Sequence, residues 1–196
     1  MTARLVIMGP QGAGKGTQAA RLAERLGVPA ISTGDIFRAN IKGGTELGVL
    51  AQSYTARGEL VPDSVTNDMV RDRLAQPDVA EGFILDGYPR NAAQVEELDA
   101  ILGESGVALD AVVELTADRA ELLSRLAKRA EIEGREDDTP ESIARRLDIY
   151  AEQTAPLTSA YEARGLLVRV DGIGGIDEVT GRLVAALDGA ALHGTA

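Results

Sequence analysis

The run Gly9-Pro10-Gln11-Gly12-Ala13-Gly14-Lys15-Gly16-Thr17 restricts the folds open to this chain more than any other stretch. It follows a short β-type run, Arg4 to Met8, and precedes Thr17 to Leu26, where Ala19, Leu22, Ala23 and Leu26 recur at helical spacing. Strand, glycine loop and helix in that order can wrap an anion. Successive backbone N–H groups turn inward, the helix adds its positive end, and Lys15 brings a mobile full charge. Such a cradle suits the β- and γ-phosphates of a nucleotide. The hydroxyl expected directly after the lysine is displaced, because Gly16 stands there and Thr17 follows.

The strand–helix alternation then recurs. Phe83 to Leu85 precedes a helical pattern from Asn91 to Leu102, Ala111 to Leu115 precedes one from Asp118 to Ala130, and Leu166 to Val170 precedes one from Ile176 to Leu187. Ala30 to Ser32 is a short extra strand. The chain therefore reads as α/β, with a five-stranded parallel sheet and helices on both faces. At 196 residues it forms one unit. Between Thr33 and Ala75 only helical stretches occur, broken by Gly43-Gly44, Gly58 and Pro62, which predicts a helical insertion near the strand ends where ligands of such sheets bind. Ala130 to Gly134, without apolar period, reads as a second excursion, a short mobile loop. From Pro140 a helix is predicted through Ile143, Leu147 and Tyr150 towards Tyr161, kinked at Pro156.

Charge and composition remove several function classes. Lys plus Arg number 20 against 31 Asp plus Glu, a net charge of −11, the wrong sign for non-specific nucleic-acid or anionic-membrane binding. A phosphate-bearing partner must therefore meet a local basic site. No cysteine is present, which rules out disulfides, thiolate catalysis and cysteine-ligated zinc and fits a reducing compartment. The one histidine, His193, sits in a small polar tail and reads as a bystander. Leu5 to Met8 is too short for a signal-peptide core or a membrane span, so a soluble cytoplasmic protein is expected.

Four segments in order, Gly12-Ala13-Gly14-Lys15-Gly16-Thr17-Gln18, Ser32-Thr33-Gly34-Asp35, Gly58-Glu59-Leu60-Val61-Pro62 and Asp86-Gly87-Tyr88-Pro89-Arg90, resemble the adenylate kinase family. The likeness runs from about Arg4 to Leu187, and the displaced threonine is normal within it. It implies a single P-loop kinase domain over 1–196, a nucleotide monophosphate-binding insertion over about 33–62, and a short lid over about 129–136 without zinc. It also implies ATP, AMP and ADP as ligands, Mg2+ with ATP, a monomer, and reversible transfer, ATP plus AMP giving two ADP, in adenine nucleotide homeostasis.

Residue roles carry over by motif position. On the ATP side the resemblance implies Gly12, Ala13, Gly14, Lys15, Gly16, Thr17, Arg125, Arg129 and Gly174. On the AMP side it implies Thr33, Arg38, Arg90, Gln94, Arg135 and Arg146, with Gly58, Glu59, Leu60, Val61 and Gly87 lining the base. Lys15, Arg90, Arg129, Arg135 and Arg146 are the implied catalytic cations. Asp86, at a strand end near the phosphate loop, is the candidate to orient hydrated Mg2+, with Asp35 as a second. Plainer readings stand beside these. Thr33 can be a helix N-cap, Arg38 an exposed helix residue, Arg90 part of a turn and Gln94 solvent-facing. Asp86 can be a turn aspartate, and Asp35 can simply suit a helix dipole. Arg125 and Arg129, four apart, share a helix face, while surface charge is the alternative for every one of these arginines. UMP or CMP is an alternative acceptor, although Thr33 with Gln94 favours adenine. A GTPase-type switch would need an Asn-Lys-x-Asp run, which Asn40-Ile41-Lys42 does not supply.

Overall fold

The computed structural model describes residues 3–55, 61–133 and 139–189. Five parallel strands form one sheet in the order β2-β3-β1-β4-β5: β1 (Ala3–Met8), β2 (Ala30–Ser32), β3 (Gly82–Asp86), β4 (Ala111–Thr116) and β5 (Leu167–Asp171). The expected α/β class, strand count and strand positions are all found. The period-2 alternation of β1 explains the two-sided core. Leu5 and Ile7 point into one apolar layer with Ile84, Val113 and Leu115, whereas Val6 and Met8 point into the other with Phe83, Leu85 and Val112.

The first layer is closed by α1 (Lys15–Leu26), α6 (Arg119–Glu133), α7 (Pro140–Ile149) and α9 (Ile176–Gly189) through Leu22, Leu126, Ile143 and Leu183. The second is closed by α2 (Thr33–Gly43), α3 (Glu46–Thr55), α4 (Asp63–Leu74), α5 (Ala92–Glu104) and α8 (Leu157–Ala163) through Ile36, Ala51, Val70, Leu98 and Tyr161. Among the described residues, no helix is long and apolar enough to cross a membrane.

The helical stretch between β2 and β3 is as expected and contains α2, α3 and α4. Two expectations need correction. Ala130 to Glu133 is the last turn of α6 and not a loop, because helical hydrogen bonding does not require an apolar period. At the predicted kink near Pro156 the regular α-helix is interrupted, while the backbone stays right-handed helical through Ile149, Tyr150, Ala155 and Pro156. α7 ends at Ile149, a π-helical turn spans Tyr150–Thr154, and α8 starts after Pro156. The Ala155 N–H reaches back to the Tyr150 carbonyl at 2.8 Å, and the widened turn lets the buried Thr154 hydroxyl donate to the Arg90 carbonyl at 2.9 Å. Gly134, Arg135, Asp137 and Asp138 of the expected lid, Gly58, Glu59 and Leu60 of the expected base-lining segment, and His193 lie outside the described residues.

Candidate active site

The strands are parallel, so their C-terminal ends share one edge of the sheet, where ligands of such folds bind. Register places Ser32 of β2 beside Asp86 of β3, and Asp86 beside Ile7 of β1. The chain leaves β1 into the glycine loop, and α1 begins at Lys15 with Gly14 as its N-cap, without a side-chain cap. The first-turn N–H groups of α1 are thus offered to an anion instead of to a capping oxygen. Lys15 lies half-buried at that turn, its ammonium 3.2 Å from the Pro10 carbonyl.

Two hollows flank this loop. The larger, about 580 Å³, is walled by Lys15, Gly16, Thr33, Asp86, Gly87 and Arg90 among others. The smaller, about 360 Å³, is walled by Ala13, Gln18, Glu121, Gly174, Ile176 and others. Gly12, Gly14, Thr17 and Arg125 line both, so the two chambers meet at the phosphate loop. Arg125 is held there by Glu121, whose carboxylate accepts from its Nε at 2.7 Å, and its Nη1 lies 3.5 Å from the Gly12 carbonyl. Gln18, buried beneath the smaller chamber, ties α1 to α9: its Nε2 donates to the Ile176 carbonyl at 3.1 Å, and the Thr180 hydroxyl donates to its Oε1 at 2.8 Å.

On the other side the turn after β3 organises Arg90. Gly87 has φ +84°, a conformation that favours glycine, and its carbonyl accepts from Arg90 Nε at 2.7 Å and faces the buried Thr33 hydroxyl at 3.4 Å. The Arg90 backbone N–H donates to Gln94 Oε1 at 2.7 Å. Arg146, half-buried, is near enough to Arg90 to act on it electrostatically, whereas Arg145 is exposed. The surrounding protein lowers the Arg90 pKa through desolvation, opposed by Asp86 and aided by Arg146. Arg90 is nonetheless exposed to the cleft, so water limits that shift and the guanidinium stays charged.

Burial raises the pKa of Asp86, with Lys15 and then Arg90 pulling the other way. A side chain added at Gly16 would meet the Asp86 carboxylate at 3.8 Å, so the acid sits beside the phosphate loop. Among the described residues no three His, Cys, Asp or Glu side chains cluster as an all-protein metal cage. One carboxylate beside an anion cradle is instead the donor set that suits Mg2+, which keeps its waters and shares phosphate oxygens.

Lys15, Gly16, Thr33, Asp86, Gly87 and Arg90 therefore converge on the larger chamber of this shared trough, Thr17 and Arg125 line both chambers, and Gly174 lies in the smaller. Asp35, Arg38, Val61 and Gln94 line neither. Arg38 is exposed and paired with Asp35 at 2.5 Å, and that pair, with the Ser32 hydroxyl, holds the Asp35 carboxyl below its usual range. Val61 packs partly buried against the second core layer, and Gln94 is 5% exposed, not solvent-facing. Ser32, not Thr33, caps α2 by accepting from the Asp35 N–H. Sequence reasoning missed Asp63, Thr154 and Gln18 as parts of this architecture. Gln18 was visible as the last residue of the loop motif; Thr154 gave no signal, because a π turn has no residue pattern of its own.

A family model described as "Adenylate kinase" matches residues 7–166. An adenylate kinase of Kocuria rhizophila is 67% identical over 94% of this chain and 98% of its own length. Adenylate kinases of Bifidobacterium longum and Thermobifida fusca are 62% and 59% identical, each over 94% of this chain and over 100% and 97% of their own lengths. The trough, the ordered motifs and these near full-length likenesses agree, and the chain belongs to the adenylate kinase family.

Proposed function

We propose that the chain transfers the γ-phosphoryl group of ATP reversibly to AMP, giving two ADP, with ATP in the smaller chamber and AMP in the larger. The observation that carries this reading is the meeting of two chambers at one phosphate loop, with Lys15, Arg90 and Arg125 around the junction. A single-nucleotide switch needs one chamber only.

The attacking group needs no base, since a phosphate monoester with a second pKa of about 6 is already mostly ionised at neutral pH. The barrier is electrostatic. Two unit like charges about 4 Å apart repel by about 4 kcal/mol at an effective dielectric of about 20, and nucleotide phosphates carry several such charges. Lys15 and the loop N–H groups offset charge on the donor, while Arg90 and Arg146 offset charge on the acceptor. Arg125 lies at the shared wall and stabilises charge that builds up between them. Arg38 turns from Asp35 to the acceptor phosphate, and Thr33, Gln94, Gly87 and the 58–61 segment read the base. The insertion over about 33–62 and the lid over about 129–136, carrying Arg129 and Arg135, close over the trough and keep water from competing as acceptor. Mg2+, when bound with ATP, neutralises phosphate charge; Asp86 is suited to hold it through water. We assign the reaction to the cytoplasm, with which the absence of cysteine is compatible, and the working form to a monomer.

Coupled ADP formation from ATP against AMP, UMP, CMP, GMP and dTMP, with and without Mg2+, tests the reading. AMP should be the preferred acceptor and Mg2+ should be required. Preference for a pyrimidine monophosphate would replace AMP as the acceptor.

A further inference from the structure

We infer that Asp63 is a positioning residue for AMP selectivity, fixing which way round the Gln94 amide faces. This rests on the proposed role of Gln94 as a reader of the base.

A glutamine amide can be turned over by 180°, exchanging its donor and acceptor ends, unless its partners forbid it. Here both ends are constrained by groups of a single kind. Gln94 Oε1 faces the Arg90 backbone N–H at 2.7 Å, which can only donate, and Gln94 Nε2 faces Asp63 Oδ1 at 2.9 Å, which as a carboxylate can only accept. Turning the amide would set N–H against N–H at one end and oxygen against oxygen at the other. The other Asp63 oxygen does the same for Asn91, whose Nδ2 donates to Oδ2 at 2.9 Å while its Oδ1 caps α5 by accepting from the Gln94 N–H at 2.9 Å. One carboxylate at the start of α4 thus orients two amides at the start of α5.

After these bonds the Gln94 amide retains one N–H and one oxygen lone pair. Adenine offers a ring-nitrogen acceptor beside an amino donor, whereas a 6-oxopurine offers an N–H donor beside a carbonyl acceptor, the reverse pattern. A locked amide favours one pattern; an amide free to turn accepts both. Asp63 is itself exposed, so its contribution to folding is small and its effect lies in orientation.

The test measures kcat/KM for AMP, KM for ATP, and IMP as substrate or competitive inhibitor, in wild type, Asp63→Asn, Asp63→Ala and Gln94→Met. Asp63→Asn keeps the shape but has one acceptor oxygen where two are needed; Asp63→Ala removes the constraint at the Nε2 end and leaves the Arg90 N–H as the one that remains. In both, preference for AMP over IMP should fall about tenfold, the size of one orienting hydrogen bond, through KM for AMP with KM for ATP unmoved. Wild-type preference in both Asp63 variants overturns the inference. If Gln94→Met shifts preference while the Asp63 variants do not, only the positioning role fails. If Gln94→Met also leaves preference unchanged, the base-reading role assigned to Gln94 fails and this inference with it.

Discussion

Gly87→Ala separates backbone strain from site geometry, because the structure supplies its own control. At Gly87, φ is +84°, and an added Cβ would lie 2.7 Å from the Thr33 hydroxyl and 3.2 Å from Arg90 Nη2. Gly27, at the end of α1, has φ +69° with nothing within 4 Å of such a carbon. Both substitutions force an L side chain into left-handed backbone at about 1–2 kcal/mol. At about 2–4 °C per kcal/mol for a chain of this size, each should lower Tm by about 2–8 °C. Only Gly87→Ala also moves the functional groups. Thr33 is 6% exposed and has little room to yield, and Arg90 is bonded to the same carbonyl, so both must shift by some tenths of an ångström. Displacements of about 1 Å at such groups cost up to about 10²-fold, so kcat/KM for AMP should fall about 10- to 100-fold in Gly87→Ala. The smaller chamber, assigned to ATP under the proposed function and walled by Gly172, Gly174 and Ile176, is not lined by Gly87, so KM for ATP should stay within about twofold. Thermal melts and steady-state kinetics on both variants decide the matter. Equal loss of AMP turnover in Gly27→Ala, or none in Gly87→Ala, refutes the contact argument.

Three further outcomes are expected. Lys15→Met should lower turnover about 10²- to 10³-fold with the circular dichroism spectrum unchanged, since under the proposed role the ammonium serves phosphate charge, and it lies outside the core; near-normal rates would remove that role. Thr33→Ala should weaken discrimination for AMP over UMP and CMP, checked on the acceptor panel. Asp86 has a folded pKa raised above 3.8 by burial, so the folded form binds its proton more tightly and ionisation costs stability as pH rises through that window. Asp86→Asn should therefore raise Tm at pH 7, with the gain shrinking as pH falls towards 3.8, while Mg2+-dependent turnover drops; melts across pH would contradict this if the gain were constant.

The fold was legible because β1 and α1 are each regular to their ends and the glycine loop joins them. Leu5 to Met8 alternate between two layers, and Leu22 with Ala23 sits on the buried stripe of α1 as spacing requires. What spacing could not reveal was the pairing of polar groups. Nothing in the sequence distinguishes Asp63, which holds two amides across 28 and 31 residues, from the exposed Asp68 or Asp72. Nor does the pattern after Pro140 predict a π turn, since its cause is tertiary: the bond from Thr154 to Arg90 spans 64 residues. Extent at helix ends was equally obscure. Ala130 to Glu133 lacks an apolar period, yet α6 continues through it because solvated turns need only their own hydrogen bonds.

An acidic chain can keep cations ready for phosphate only if their resting partners are easy to replace, and the structure grades those partners. Arg38 rests on Asp35 with both side chains more than 70% exposed, and Arg125 rests on Glu121 at a cleft wall. An exposed pair such as Arg38–Asp35 contributes about 0–1 kcal/mol, so an incoming phosphate with several charges displaces it at little cost, whereas the Arg125–Glu121 pair is only partly exposed. Arg90 differs. Its guanidinium is bonded to the neutral Gly87 carbonyl, its backbone N–H to Gln94, and its carbonyl to Thr154, so three elements fix it without neutralising its charge. Under the proposed roles this difference has a physical sense. A cation that must follow the acceptor as it enters gains from a weak, exchangeable carboxylate, whereas one aimed at the reacting centre gains from a rigid neutral frame that leaves its field unspent before the nucleotides arrive.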